Sequence, residues 1–239
     1  MFFFKILLFC FFVCFYSSCA FAEDEKIKSL EQYYLDGIYE YVDRNYTTAT
    51  EQFEALSHNY PSSMKTKKSL IMEAFLDYIN DEAKKIDGVV EVFFRLFPND
   101  EQAPYMKYIK AMGYYSYVGD DARSLDAVMK SKLLFEDLVA TFPESIYAKE
   151  AEKKIEYLDK LMQLNDIKIG ELYFNRRNYV AAMKRYTGMY QKHKKLVPEI
   201  EERVLCRLVV LSKMFKIDEN IIKYEKILKE KFKETKCEF

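Results

Sequence analysis

Along residues 30–235 apolar and small side chains recur every three or four positions, the period of amphipathic helices, and the pattern itself repeats. Gly37, Tyr46, Ala49, Phe53, Leu56 and Pro61 stand at the same intervals as Gly170, Tyr179, Ala182, Tyr186, Met189 and Lys194, namely 9, 3, 4, 3 and 5 residues. The intervals predict a helix pair: a small residue lets helix A approach helix B, an alanine sits at the crossing, and aromatics fill the space between repeats. A proline then ends helix B. The same frame, more loosely kept, fits Ala74, Ile86, Val90, Phe93 and Pro98, then Gly113, Ser131, Phe135, Leu138 and Pro143. A last copy fits Leu208, Ile217, Asn220, Tyr224, Ile227 and Phe232.

Departures from the frame carry information too. Gly113 to Ser131 is 18 residues where 12 are expected, which predicts a longer loop within Val118 to Asp126. Between Ser145 and Asn175 there is no proline, and Ile155, Leu158, Leu161, Ile169, Leu172 and Tyr173 keep helical spacing. One helix of up to eight turns is predicted there, with Ser145 as its N-cap. The fold class that follows is all-α, a tetratricopeptide-like superhelix of about five helix pairs. Repeats one to three occupy 27–143 and repeats four and five occupy 144–235, joined by the long helix.

The N-terminus breaks the pattern. Lys5, the apolar run Ile6 to Tyr16 and the small residues around Cys19 have the layout of a secretory signal within residues 1–22. Spanning a membrane takes about 20 apolar residues, so the run is too short. Two cleavage readings stand side by side. Ser17-Ser18-Cys19 has the form of a lipobox cut before Cys19, whereas Ala20-Phe21-Ala22 fits ordinary signal peptidase cutting after Ala22.

Composition narrows the function classes. The chain has 239 residues, with 37 basic and 38 acidic side chains, so no basic field for nucleic acid exists. Six glycines and five prolines are few for this length, against a background near 7% and 5%, and disfavour glycine-looped nucleotide enzymes. His58 and His193 are the only histidines, and neither has a His or Cys at i+3 or i+4, so neither a metal site nor a cofactor is expected. No phosphate-loop or nucleophile-elbow pattern occurs, and no catalytic residue is assigned. After export Cys206, Cys237 and, under the lipobox reading, Cys19 remain; a buried Cys206 and a loose Cys237 are favoured over a bridge.

In tetratricopeptide folds, positions 2, 5, 9 and 12 of helix A face the concave groove. Here they give Glu31, Tyr34, Ile38 and Tyr41, then Lys68, Ile71, Phe75 and Tyr78, then Lys107, Lys110, Tyr114 and Tyr117. The expected groove is aromatic, with three lysines.

Phe142-Pro-Glu-Ser-Ile-Tyr-Ala-Lys-Glu-Ala151, followed by Ile169-Gly-Glu-Leu-Tyr-Phe-Asn-Arg-Arg-Asn-Tyr-Val-Ala-Ala-Met-Lys-Arg-Tyr186, resembles the BamD family of outer-membrane assembly lipoproteins. The family carries Y/F-P-x-S-x-Y-A-x-x-A and I-G-x-F/Y-Y-x-x-R-x-x-Y-x-A-A-x-x-R segments in this order. Tyr46 to Pro61 resembles its first repeat, while Lys194 and the segment Ile86-Asp-Gly-Val-Val90 depart from it. The resemblance implies a non-enzymatic periplasmic scaffold, lipidated at Cys19 and held at the inner face of the outer membrane. Implied partners are a BamA-like barrel subunit, other assembly lipoproteins and unfolded β-barrel proteins. Arg185 matches the family arginine associated with docking on the barrel subunit; the alternative is an exposed helix arginine paired with a local glutamate. The groove would take the C-terminal strand of a client. A soluble periplasmic scaffold of another envelope complex, such as cell division, is the competing reading.

Overall fold

The computed structural model describes residues 27–119, 125–193, 195–232 and 237. The signal segment and Cys19 lie outside the described residues. Among the described residues ten helices follow one another: α1 (Leu30–Val42), α2 (Tyr46–Asn59), α3 (Met64–Ile79), α4 (Ala83–Leu96), α5 (Ala103–Tyr115), α6 (Leu125–Thr141), α7 (Ile146–Asn175), α8 (Tyr179–Lys192), α9 (Pro198–Phe215) and α10 (Asp218–Lys231). They form five antiparallel pairs, and the odd-numbered helix opens each pair. No strand occurs among the described residues.

Local chemistry sets the boundaries. Ser29, Ser63 and Ser145 cap α1, α3 and α7, each side chain accepting from the backbone N–H three residues on. Pro61, Pro98 and Pro143 each follow a second helix by two residues. Within four pairs the chain reverses through a left-handed residue, Arg44, Asp81, Arg177 or Lys216. The next N–H then reaches back five residues, as Asn178 does to the Tyr173 carbonyl at 3.0 Å, which is a Schellman closure. Repeat three instead connects α5 to α6 through 116–124, of which 120–124 lie outside the described residues.

Packing explains the small positions. A Cβ on Gly37 would lie 2.8 Å from the Phe53 ring, and one on Gly170 would lie 2.6 Å from Tyr186 Cε1. Both aromatic partners are fully buried. Gly113 differs, because its nearest neighbours are Ile86 and Ala83 of the preceding repeat rather than α6. The crossing position in repeat three is Ala111, fully buried like Ala74. Gly37, Ala74 and Ala111 are each 37 residues apart, so the true register lies two residues before the one drawn through Gly113. In repeat five Leu228 is buried and Ile227 only half-buried, a slip at the end of the stack where no later repeat packs.

Two features tie down the C-terminal half. Buried Gln163 of α7 donates to the Lys195 carbonyl at 3.0 Å and accepts from Val197 N–H at 2.8 Å, fixing the connection into α9. Cys206 of α9 and Cys237 are joined by a disulfide, with Cα atoms 5.0 Å apart. This corrects the expectation of a loose Cys237. The return of α10 along α9 brings the tail back beside Cys206, a proximity that sequence distance hides.

Candidate functional site

The first helices of successive repeats stand side by side, and an aromatic row runs across them. Tyr41 of α1 meets Phe75 of α3 edge-on at 6.4 Å. Tyr108 of α5 meets Tyr147 of α7 at 5.3 Å, Tyr105 meets the same ring at 5.6 Å, and Tyr115 meets Tyr157 at 6.4 Å. Tyr78 of α3 is half-buried against the repeat-two core, and the Tyr108 phenol is raised by burial first, then by the charge of Glu150, with a smaller influence from Tyr78. Burial pushes the Tyr105 phenol up to about 12. Tyr34 packs edge-on to Phe53, and Ile38 and Ile71 flank the row, half-buried. Two cations lie over it: Lys154 Nζ is 4.3 Å from the Tyr115 ring centre and Lys65 Nζ is 5.2 Å from that of Tyr34. Lys68 is exposed on α3.

The repeat-three residues expected in this groove stand elsewhere. Lys107 Nζ donates to Asp137 at 2.5 Å and to Thr141 at 2.9 Å, both on α6. Lys110 pairs with Asp87 of α4 at 3.1 Å, and Tyr114 donates to the same carboxylate at 2.6 Å. Tyr117 donates to the Asp81 carbonyl. Lys107 and Lys110 line a cavity of about 300 Å³ between α4 and α6, the second helices of repeats two and three. The cause is the two-residue register shift at Ala111. Tyr105, Tyr108, Met112 and Tyr115 take the groove positions instead, and the 37-residue interval from Gly37 through Ala74 was the signal for them.

Arg185 lies exposed on α8 with its guanidinium 5.9 Å from the Tyr173 ring centre. Among the described residues it has no carboxylate partner. The nearby Glu171 is held instead by Arg207, at 3.1 and 3.0 Å, and Arg207 also stacks on Phe174 at 4.1 Å. α8 further lines an apolar cleft of about 600 Å³ with Val180, Met183, Phe215 and Ile217. Among the described residues no group of three or more metal-ligating side chains occurs, and no helix is long and apolar enough to cross a membrane.

Comparison with known proteins gives a consistent answer. The family model YfiO, described as outer membrane lipoprotein, matches residues 26–216. Similar curated proteins are outer membrane protein assembly factors BamD. The one from Rickettsia prowazekii is 25% identical over 195 residues, covering 82% of this chain and 77% of the relative. That of Caulobacter vibrioides is 24% identical over 149 residues, covering 62% and 49%. That of Neisseria gonorrhoeae is 28% identical over 176 residues, covering 68% and 66%. A solved structure of Pseudomonas aeruginosa PilF overlays at a TM-score of 0.30 and 16% identity, covering 86% of this chain and 93% of that one.

Proposed function

Since the chain belongs to the BamD family of outer membrane lipoproteins, we propose that it is a scaffold of outer-membrane protein assembly. It docks on a BamA-like barrel subunit through Arg185 and the apolar cleft along α8. Cys19 carries the lipid that holds it at the periplasmic face, and other assembly lipoproteins join it there. The row from Tyr41 to Tyr157 receives the C-terminal segment of an unfolded β-barrel protein, because aromatic rings offer large contact area at little rotamer cost. Lys154 is the cation placed to meet that segment's carboxylate, whereas Lys65, Lys107 and Lys110 are already neutralised by Glu31, Asp137 and Asp87.

The observation that carries this reading is Arg185: it lies inside the family match and presents a guanidinium that no carboxylate of the described chain engages. A pull-down from membranes of the source cell tests it. The unaltered protein is expected to recover the barrel subunit and Arg185→Glu to lose it, by tenfold or more, about 1.4 kcal/mol. Recovery of no barrel subunit by either protein would defeat the assignment. For the groove, Tyr108→Ala with Tyr115→Ala is expected to weaken a C-terminal barrel peptide, and Lys107→Glu with Lys110→Glu to leave its affinity unchanged.

A further inference from the structure

A second cleft, of about 970 Å³, opens between α2 and α4, the second helices of repeats one and two, with α3 beneath it. Its floor is acidic. Glu73 and Asp77, one turn apart on α3, are 7% and 1% exposed, and Glu54 of α2 lines the same space. Among the described residues neither carboxylate oxygen of Asp77 has a hydrogen-bond partner. Glu73 accepts a single bond, from Ser57 Oγ at 3.3 Å. Carboxylates buried without a cation are costly.

The neighbouring cleft shows what this one lacks. With the 37-residue period, Glu73 and Asp77 correspond to Lys110 and Tyr114. There the lysine and the phenol both engage Asp87, so charge is balanced within the fold. In the cleft between α2 and α4, Lys28 is paired with Asp36 at 2.8 Å, Lys85 is paired with Glu82 at 3.8 Å and reaches Asp77 only through the field of its charge, and Arg95 is exposed; among the described residues none of the three forms an ion pair or hydrogen bond with Glu73 or Asp77. The α4 wall is also bare: a Cβ added at Gly88 would meet nothing within 4 Å. A glycine inside a helix weakens it, and no internal contact here requires one.

We infer that the cleft between α2 and α4 is a docking site for an arginine-bearing segment of a partner protein, whose backbone crosses Gly88 and whose guanidinium enters between Glu73 and Asp77. Arginine suits the site better than lysine, because its planar fork bonds two carboxylates at once and sheds water more readily. The chain's own N-terminal segment is a poor occupant. Ile27 lines the cleft, and the residues before it, Glu23-Asp24-Glu25-Lys26, are mostly acidic.

The test uses the full mature chain and a fluorescent peptide, acetyl-Ala-Arg-Ala-Ala-Arg-Ala-amide, with a citrulline twin as neutral isostere. Saturable binding is expected for the arginine peptide, at least tenfold weaker for the twin, with NMR shifts at Glu73, Asp77 and Gly88. Glu73→Gln with Asp77→Asn should weaken binding tenfold or more, and so should Gly88→Leu, which fills the cleft and leaves the charges alone. Circular dichroism confirms that each variant is folded. Tyr108→Ala, in the aromatic row, should leave binding unchanged, which separates this site from the groove. No saturable binding up to millimolar peptide, equal binding of the twin, or binding indifferent to both cleft variants would overturn the inference.

Discussion

At Glu73 the fold keeps a carboxyl group that water would ionise far more readily. Burial comes first, the charges of Asp77 and Glu54 next, and together they move its pKa from 4.5 to about 8. Burial likewise moves Asp77 from 3.8 to about 6. Between the unfolded and folded values the native chain holds a proton that the unfolded chain has released. Stability from Glu73 is therefore complete below about pH 4.5 and declines as pH rises through about 8. Glu73→Gln is expected to abolish most of that decline and to raise stability above pH 8 by on the order of 3 kcal/mol, read from urea unfolding between pH 5 and 9. A pH-independent difference between the two proteins would contradict the assignment. Nothing in the sequence announced this pair. With 38 acidic residues in the chain, which two end up beneath a cleft depends on the helix face that packing selects.

Helix pairs owe their close approach to individual missing side chains, and the glycines divide by what surrounds them. Gly170→Ala would press a methyl group 2.6 Å from the buried Tyr186 ring and is expected to cost about 1–3 kcal/mol. Gly188→Ala, on the next helix with open space around it, is expected instead to stabilise by about 0.5–1 kcal/mol. Thermal unfolding of the two variants should therefore shift in opposite directions. This contrast was half legible in the sequence. The interval of nine between Gly170 and Tyr179 fixed the close-approach site, and the same interval fixed it at Gly37. In repeat three the longer connection concealed the register, so Gly113 stood in for Ala111, and Lys107, Lys110 and Tyr114 were drawn into a groove they do not line. A side chain's face on a helix changes by about 100° per residue, so a two-residue error moves it to the opposite side.

A stack of helix pairs is held by contacts between neighbours, and its ends have neighbours on one side only. The chain closes one of those ends covalently. The Cys206–Cys237 bridge spans 31 residues and encloses α10, which restricts the unfolded chain by about 3–4 kcal/mol. Cys237→Ser is expected to lose that amount, with α10 amides exchanging hydrogen fastest, and reductant should do the same to the unaltered protein. Loss of protection spread evenly over α1 to α10 would contradict this. The five-pair architecture was readable from spacing alone, whereas the bridge was not, because two cysteines at the end of a chain give no sign of which helix turns back. The bridge also decides where load enters the molecule. A pull applied to the chain beyond Cys237 is delivered to α9 through the sulfur atoms and bypasses α10, while a pull at the other terminus must peel α1 away first. The protein is a strap with a riveted end and a plain one, and under tension it would part from the plain end.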